Sequence, residues 1–414
     1  MTGIQKESRR KAKNLQYIRV SNRAEIIRYL SIQHEATRLT LANHLGLTKM
    51  SISNIVGEML SEDLLIEKAA ADSQNSPAGR KSTMIALNTD RYMAVGIYIS
   101  RDELQGVIAD ISGEIHRVWR QPITISNRRE SSQIRTEFTD SLFLLVDTIM
   151  AYTSAQPRAN RFLGIGVCSI GPLDLGQGIL LAPPNFHGIE QVELLSLLGE
   201  RYQLPVFLDN DNNAAAWGEH LYGAGQNGQH IVYLGLINGI GAGVISYGRI
   251  LQGSEGFGGE LGHMSIQMDG PLCSCGQRGC LEMFASVPVL LQKTKSGSIG
   301  AMIRKSRESA AFRKSWLPKF VQAMTAGLVN VANIFDPDII LIGHEGAALA
   351  GLVLTELEEK TNRLAFQHRS KKIPVRLAQF GEKAPLIGAA SLIFQAVFRG
   401  ELSAGQTEKT IVTT

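Results

Sequence analysis

The sequence predicts a mixed α/β protein in which a small winged helix-turn-helix leads into a body of two sheets, each flanked by helices. Three observations carry that prediction. The chain of 414 residues has a net charge of +4, yet residues 1–87 hold 13 Lys and Arg against 8 Asp and Glu, so the rest is near neutral. The same first segment reads as helices, a tight turn and two short strands. Beyond Asp90, short β-branched runs alternate with helical patterns. At about 150 residues per domain, such a length suits two or three domains.

From Ser21 the apolar positions Ile26, Ile27 and Leu30 follow helical spacing. Leu41 and Leu45 give the next helix a buried face, Gly46 supplies a turn and Thr48 is a good N-cap. Ile52, Ile55, Val56 and Met59 line one side of the helix that follows, and the other side carries Lys49, Met50, Ser53 and Asn54. Small and polar side chains on an exposed helix after such a turn suit a major groove, with Thr48 and Ser51 at the phosphates. Leu64–Lys68 and Ser82–Leu87 read as strands, and the loop between them ends in Gly79-Arg80-Lys81, placing Arg80 and Lys81 on a wing that reaches phosphates or the minor groove. Lys6, Arg9, Arg10, Lys11 and Lys13 precede all of this, as a phosphate-binding arm or as a solvated tail. A basic module on a near-neutral body is the electrostatic outline of a nucleic-acid reader carrying a sensor; a basic tail that aids solubility has the same outline.

In the body, Met93–Ser100, Leu104–Asp110 and the run from Asp110 through Gly113 to His116 read as a β-meander, followed by a long amphipathic helix over Glu130–Tyr152. Further strands are expected at Leu163–Ile170, Val206–Leu208, His230–Leu236, Gly241–Ser246 and Pro337–Gly343. No run of 18 apolar residues and no secretion signal is visible, so a cytoplasmic protein without membrane contact is expected.

Three of the four cysteines fall in Cys273-Ser-Cys275-Gly-Gln-Arg-Gly-Cys280, and His263 stands ten positions before the first of them. Thiolate and imidazole are preferred zinc donors and four of them close a tetrahedron, so His263, Cys273, Cys275 and Cys280 are expected to hold one structural Zn²⁺. A disulfide is the poorer reading, because a Cys-x-Cys bridge is sterically strained and Cys168 lies in an apolar run. Glu260 and Glu282 bracket the cluster and would share one small polar space with it, a space suited to a polyhydroxylated ligand.

The run Gly256-Phe-Gly-Gly-Glu260-Leu-Gly-His263, the cysteine cluster ending Cys280-Leu-Glu282, the block from Asn210 to Ala215, Gly171-Pro172 and Asn333-Ile-Phe-Asp336-Pro337 together resemble the ROK family (repressors, open reading frames and sugar kinases). The resemblance covers about residues 92–400, and with the N-terminal module it is similar to the repressor branch, of NagC, Mlc and XylR type. It implies an actin-like, hexokinase-type pair of lobes closing on a sugar. The domains expected are 1–87 for the winged helix-turn-helix and its arm, 92–208 for the first lobe, completed by a C-terminal helix near 385–400, and 209–384 for the second lobe with zinc and sugar.

By the same resemblance Asp211 matches the catalytic aspartate of the kinases and Asn210 a sugar-hydroxyl contact. Asn185, Glu260, His263 and Glu282 complete the implied sugar set. Read from local sequence alone, Asp211 also serves as a helix N-cap. The nucleotide side departs from the kinase pattern. Tyr98 stands for the Asp of Asp-x-Gly-Gly-Thr, Ser100, Arg101 and Asp102 stand for Gly-Gly-Thr, Ile237-Asn238-Gly239 stands for Gly-Thr-Gly, and Gly343-His344 for Gly-Gly. A ring and a carboxylate oppose a triphosphate by bulk and by charge. The expectation is therefore no enzyme, with Asp211 a vestigial base, but a sugar-responsive regulator of carbohydrate genes. Its expected partners are double-stranded operator DNA, a small sugar or sugar phosphate that closes the lobes, a second or fourth copy of the chain, and as an alternative signal a phosphotransferase-system protein. An active sugar kinase is the competing expectation.

Overall fold

The computed structural model describes residues 19, 21–69, 83–125, 130–154, 161–226, 228–366, 370–399 and 402. Arg80 and Lys81, and with them Lys6, Arg9, Arg10, Lys11 and Lys13, lie outside the described residues. The chain forms two compact units, one drawn from Met1–Val167, Glu193–Leu208 and Ala390–Thr414, the other from Cys168–Val192 and Asp209–Ala389.

In the first unit, helix α1 (21–33) buries Ile26, Ile27 and Leu30 as its spacing requires. Strand β1 (Glu35–Thr37), helix α2 (Arg38–Leu45) and helix α3 (Lys49–Ser61) follow. Gly46 ends α2 at φ +63°, a left-handed conformation that costs glycine little, and Thr48 caps α3 by accepting the N–H of Ser51 at 3.1 Å. Ile52, Ile55, Val56 and Met59 are buried as expected. Strands β2 (Leu65–Ala69) and β3 (Thr83–Leu87) form an antiparallel pair, and β1 joins the far side of β3 in the order β1-β3-β2. The sequence reading omits β1, since three residues are too short to show a period of two. Arg23 and Glu62 make a two-point ion pair that ties α1 to the end of α3.

The meander follows as β4 (Tyr92–Ile99), β5 (Glu103–Asp110) and β6 (Ile115–Pro122), with helix α4 (Ser131–Ser154) burying Phe138, Leu142, Leu145, Val146 and Ile149. Tyr92 donates its hydroxyl to the Glu62 carbonyl at 2.6 Å, which links the meander to the N-terminal helices. Strand β7 (Arg161–Ser169) comes next in the chain. The two-residue strands β8 (Leu173–Asp174), β9 (Ile179–Leu180) and β10 (Val192–Glu193) form a small sheet of their own. After helix α5 (Leu194–Tyr202), strand β11 (Val206–Asn210) completes the five-stranded order β11-β7-β4-β5-β6. The linear division of the sequence gives Cys168–Val192 to the first lobe; it belongs instead to the second unit, where the Cys168 thiol donates to the Pro385 carbonyl.

The second unit is built on helix α6 (Asp211–Tyr222) and the sheet of β12 (His230–Leu236), β13 (Ile240–Ser246), β14 (Arg249–Ile250), β15 (Ile339–Gly343) and β16 (Val375–Leu377), in the order β14-β13-β12-β15-β16. Helices α7 (Glu282–Ala285), α8 (Val287–Thr294), α9 (Ile299–Glu308), α10 (Ala310–Phe335), α11 (Ala347–Ala350) and α12 (Leu354–Leu364) follow the long loop after β14. Their apolar stripes share one core with β12, β13 and β15, including Phe320, Met324, Leu328, Leu234 and Ile342. Helix α13 (Ala384–Phe398) closes the fold and packs backbone to backbone on α6, where a Cβ on Gly388 would stand 1.9 Å from the Ala214 carbonyl oxygen. No helix among the described residues is long and apolar enough to cross a membrane.

Candidate functional site

His263 ends a short 3-10 turn, Leu261–His263, and the chain then folds back on itself through isolated bridges pairing Ser265 with Cys280 and Leu272 with Arg278. The knuckle needs its glycines. Gly276 and Gly279 have φ of +90° and +74°, and a Cβ on Gly279 would meet the Gln267 carbonyl oxygen at 1.7 Å. The fold-back brings one donor atom each from His263, Cys273, Cys275 and Cys280 to within 4.8 Å of one another. Cys273 Sγ stands 3.6 Å from His263 Nδ1, and Cys275 Sγ 3.7 Å from Cys280 Sγ. Those separations match the edges of a tetrahedron with bonds of about 2.3 Å to sulfur and about 2.0–2.1 Å to nitrogen, which are about 3.6–3.8 Å. They are far longer than a disulfide, and all four cysteines are free. The donor set therefore fits a tetrahedral metal ion.

Glu282 opens α7 two residues after the last of these donors. Its Oε1 accepts from the Cys273 thiol at 3.0 Å and lies 3.5 Å from His263 Nδ1, while Oε2 lies 3.0 Å from where a Cβ on Gly239 would be. Glu282 thus spans from the cysteine knuckle to the turn between β12 and β13. Glu260 is exposed at its side chain, but partial desolvation holds its carboxyl above the ordinary value; Glu282 adds to that effect and His263 opposes it.

Helix α6 begins on the same lobe. Asn210, at the end of β11, is its N-cap, and Asn210 Oδ1 accepts the N–H of Asn212 at 2.9 Å. Capping therefore falls to Asn210, which leaves Asp211 at the first helical position with its carboxylate available for other work. Asp211 is buried at 3 % exposure. Burial pushes its carboxyl up to about 7, and the charge of Glu260 adds to this, while N–H groups of Asn212 and Asp211 itself oppose it. Asp209 is pushed up to about 6 by burial, relieved in part by the amides of Asn213 and Gln252 and the N–H of Asn210. The floor beneath this helix start is glycine, because Gly235 pairs with Gly241 across β12 and β13 and with Gly343 across β12 and β15.

Of the residues read from sequence as a sugar set, Asp211, Glu260, His263 and Glu282 form an electrostatically linked group, and Asn210 stands beside Asp211 as its helix cap. Asn185 is exposed, in a left-handed conformation at φ +55°, within the loop closed by the bond from Gln191 N–H to the Leu181 carbonyl. No described contact joins it to the carboxylates. Asn212, Asn213 and Asp209 are buried beside Asp211 and were not singled out by the sequence reading. The signal that would have found Asn212 is the Gly235–Gly241 pair flanking the Ile237–Gly239 turn, but it is visible only once the register of β12 on β13 is known.

The positions that the sequence comparison sets against the kinase pattern have these places in the structure. Tyr98 is buried within β4. Ser100 closes the β4–β5 turn, its N–H and its hydroxyl both donating to the Glu103 carbonyl at 3.1 and 2.8 Å. Ile237 closes the β12–β13 turn by donating its N–H to the Gly239 carbonyl. His344 is buried at φ +62°, and burial holds its imidazole down at about 4, uncharged at neutral pH. At the start of α3, Lys49, Met50, Ser53 and Asn54 are exposed, Met50 at 74 %, and the Ser51 hydroxyl pairs with that of Thr48 at 2.9 Å.

Comparison with known proteins gives four findings. The chain is similar to the xylose repressor of Bacillus subtilis (strain 168), 28 % identical over 382 residues, covering 91 % of this chain and 96 % of that protein. It is similar to the glucokinase of Thermotoga maritima, 32 % identical over 278 residues, covering 62 % of this chain and 86 % of the enzyme. Among solved structures, a ROK family transcriptional regulator described as a homologue of the Escherichia coli Mlc protein shares the fold, with a TM-score of 0.75 and 24 % identity over 93 % of this chain and 98 % of that one. The family model for ROK proteins matches residues 118–396, about two thirds of the sequence; with the His and Cys knuckle and the α6 site both inside that span, the chain belongs to the ROK family.

Proposed function

We propose that this protein is a sugar-responsive DNA-binding transcriptional repressor of carbohydrate genes, acting in the cytoplasm as a homodimer or homotetramer. One observation carries the reading: similarity to the xylose repressor runs through 91 % of the chain, whereas similarity to the glucokinase covers 62 % of it. Residues 1–87 are then the DNA reader, with α3 in the major groove. Met50, Ser53 and Asn54 face base edges, while Lys49, Thr48 and Ser51 face phosphates.

In the ligand lobe, Asp211, Glu260 and Glu282 accept hydrogen bonds from sugar hydroxyls, and Asn210 keeps its amide N–H groups as donors after its oxygen is spent on the cap. Asn185 is the least supported member of this set. His263, Cys273, Cys275 and Cys280 would hold a structural Zn²⁺, which supplies cross-linking of the knuckle and no chemistry on the ligand. Glu282 follows the last of these donors by two residues and reaches Gly239, so the knuckle sets one wall of the site. Sugar alters operator affinity by binding one of two conformations better than the other; a hundredfold preference is worth about 2.7 kcal/mol, enough to empty an operator held at moderate occupancy.

A kinase reading has one specific observation in its favour: a buried carboxyl near 7 is where a general base works well at neutral pH. Against it, the backbone N–H of Ser100 is committed to the β4–β5 turn, and Tyr98, which the sequence reading sets in place of the kinase aspartate, is buried in β4. Repression set by a phosphotransferase-system protein in place of sugar is a further alternative. These readings separate in one set of assays: binding of the protein to genomic DNA from beside its own gene, with and without a panel of sugars and sugar phosphates, alongside ATP-dependent phosphorylation of the same panel. Sugar-dependent release without turnover is the expected result; turnover abolished by Asp211→Asn would establish the kinase.

A further inference from the structure

The glycine floor under α6 is occupied by one side chain. A Cβ on Gly235 would stand 2.0 Å from Asn212 Oδ1, and one on Gly241 would stand 2.3 Å from Asn212 Nδ2. Since Gly235 and Gly241 are direct partners across β12 and β13, the missing pair of side chains leaves a slot that the Asn212 amide fills. Asn212 is 8 % exposed, and within the slot its Nδ2 donates to Asp211 Oδ1 at 2.8 Å. Packing does not ask for an amide here. An apolar residue would fill the slot equally well, while the amide leaves Oδ1 buried without a hydrogen-bond partner, which costs about 1–3 kcal/mol. What the amide does supply is a donor that cannot swing away from Asp211, because glycine backbone walls it on two sides.

We infer that Asn212 is a positioning residue for the ligand carboxylate: clamped between Gly235 and Gly241, its amide aims Asp211 and favours its charged form, so ligand affinity depends on a side chain that sits outside the ligand's contacts. This rests on the sugar-binding reading of Asp211. Among the described residues, the surroundings supply no cation that would do the same work. Facing Asp211 are Glu260 from the loop before the knuckle, Tyr233 on β12, Cys168 at the end of β7 and Asp209 on β11, with Glu219 farther along α6 and the neutral His344 near the slot; none of these is a fixed cation. The backbone N–H groups of Asn212 and Asp211 favour the charged form, and the Asn212 amide adds a side-chain donor to them.

The test uses full-length protein with aspartate labelled at the carboxyl carbon, titrated by NMR, the Asp211 signal being assigned by its loss in Asp211→Asn. In Asn212→Ala, and in the shape-keeping Asn212→Leu, the Asp211 midpoint should move up by about one pH unit. Circular dichroism and metal content confirm the fold of each variant, and either variant alone suffices. Calorimetry with D-xylose and D-glucose should show affinity about fivefold weaker at pH 7 and regained by pH 9, since the ionised fraction falls from about one half to about one tenth and then recovers. An unchanged Asp211 midpoint overturns the inference, and so does an affinity loss that is uniform across pH, which would make Asn212 a packing residue only. Wild-type protein that binds neither sugar counts against the sugar-binding reading, while the NMR titration still decides the role of Asn212.

Discussion

Two helix starts in this chain use the same device for opposite ends. At α3, Thr48 caps the helix and the residues after it stand in solvent; at α6, Asn210 caps the helix and the residues after it are buried on a glycine floor. The cap does the same job in both places, satisfying an otherwise unpaired N–H. Burial makes the difference. Exposed polar side chains following a cap can meet only a partner large enough to cover them, such as a duplex. A buried acid and two buried amides can meet only a small molecule, and burial changes their chemistry before it arrives. The exposed helix start presents Lys49, Met50, Ser53 and Asn54 to solvent; the buried one presents a carboxyl pushed up to about 7.

The comparison breaks first at the metal. Glu282 opens α7 two residues after Cys280, so Cys275→Ser should release about one equivalent of zinc, lower the melting temperature by roughly 10 °C and abolish the sugar response. Full metal content by elemental analysis in that variant would remove the knuckle from the account. DNA affinity at a temperature where the variant is folded should fall much less.

Asp211→Asn comes next, and its two effects have opposite signs. Sugar affinity should fall by about a hundredfold, while stability should rise by a few kcal/mol above pH 7. The sign follows from the raised carboxyl: between about pH 4 and 7 the folded chain holds a proton that the unfolded chain has lost, so wild-type stability falls as pH rises through that window and the deficit is complete above it. The advantage of Asp211→Asn should therefore vanish near pH 4, as denaturant midpoints across pH will show.

At the exposed helix start, Asn54→Ala and Met50→Ala should each cost about 1–3 kcal/mol of affinity for the chosen operator and relax its sequence preference. Lys49→Ala should weaken binding to all duplexes alike and reduce the salt slope by about one. Sugar affinity should stay unchanged in all three. The smallest effect is expected from Thr48→Ala, about 1 kcal/mol of stability from the lost cap.

What the sequence made legible follows from how far apart the cooperating residues lie. The knuckle is written in one contiguous stretch, and its four donors meet as the spacing requires. The α2–α3 turn is equally local, with Gly46 and Thr48 where the pattern put them. Which residue caps α6 turned on one position, and local sequence left Asp211 open as the cap where Asn210 takes that role. The slot for Asn212 depends on glycines in two paired strands, and strand register is not a local property. Strand β1 was invisible because its only support is pairing with β3.

The most direct test of the account is operator affinity by fluorescence anisotropy, measured for wild type and Asp211→Asn across a D-xylose and D-glucose titration. Wild-type protein should release the duplex as one of the sugars is added, by tenfold or more in Kd, while Asp211→Asn stays bound throughout. Identical curves for the two proteins, whether both release or both hold, would contradict the claim that the buried helix start governs the exposed one.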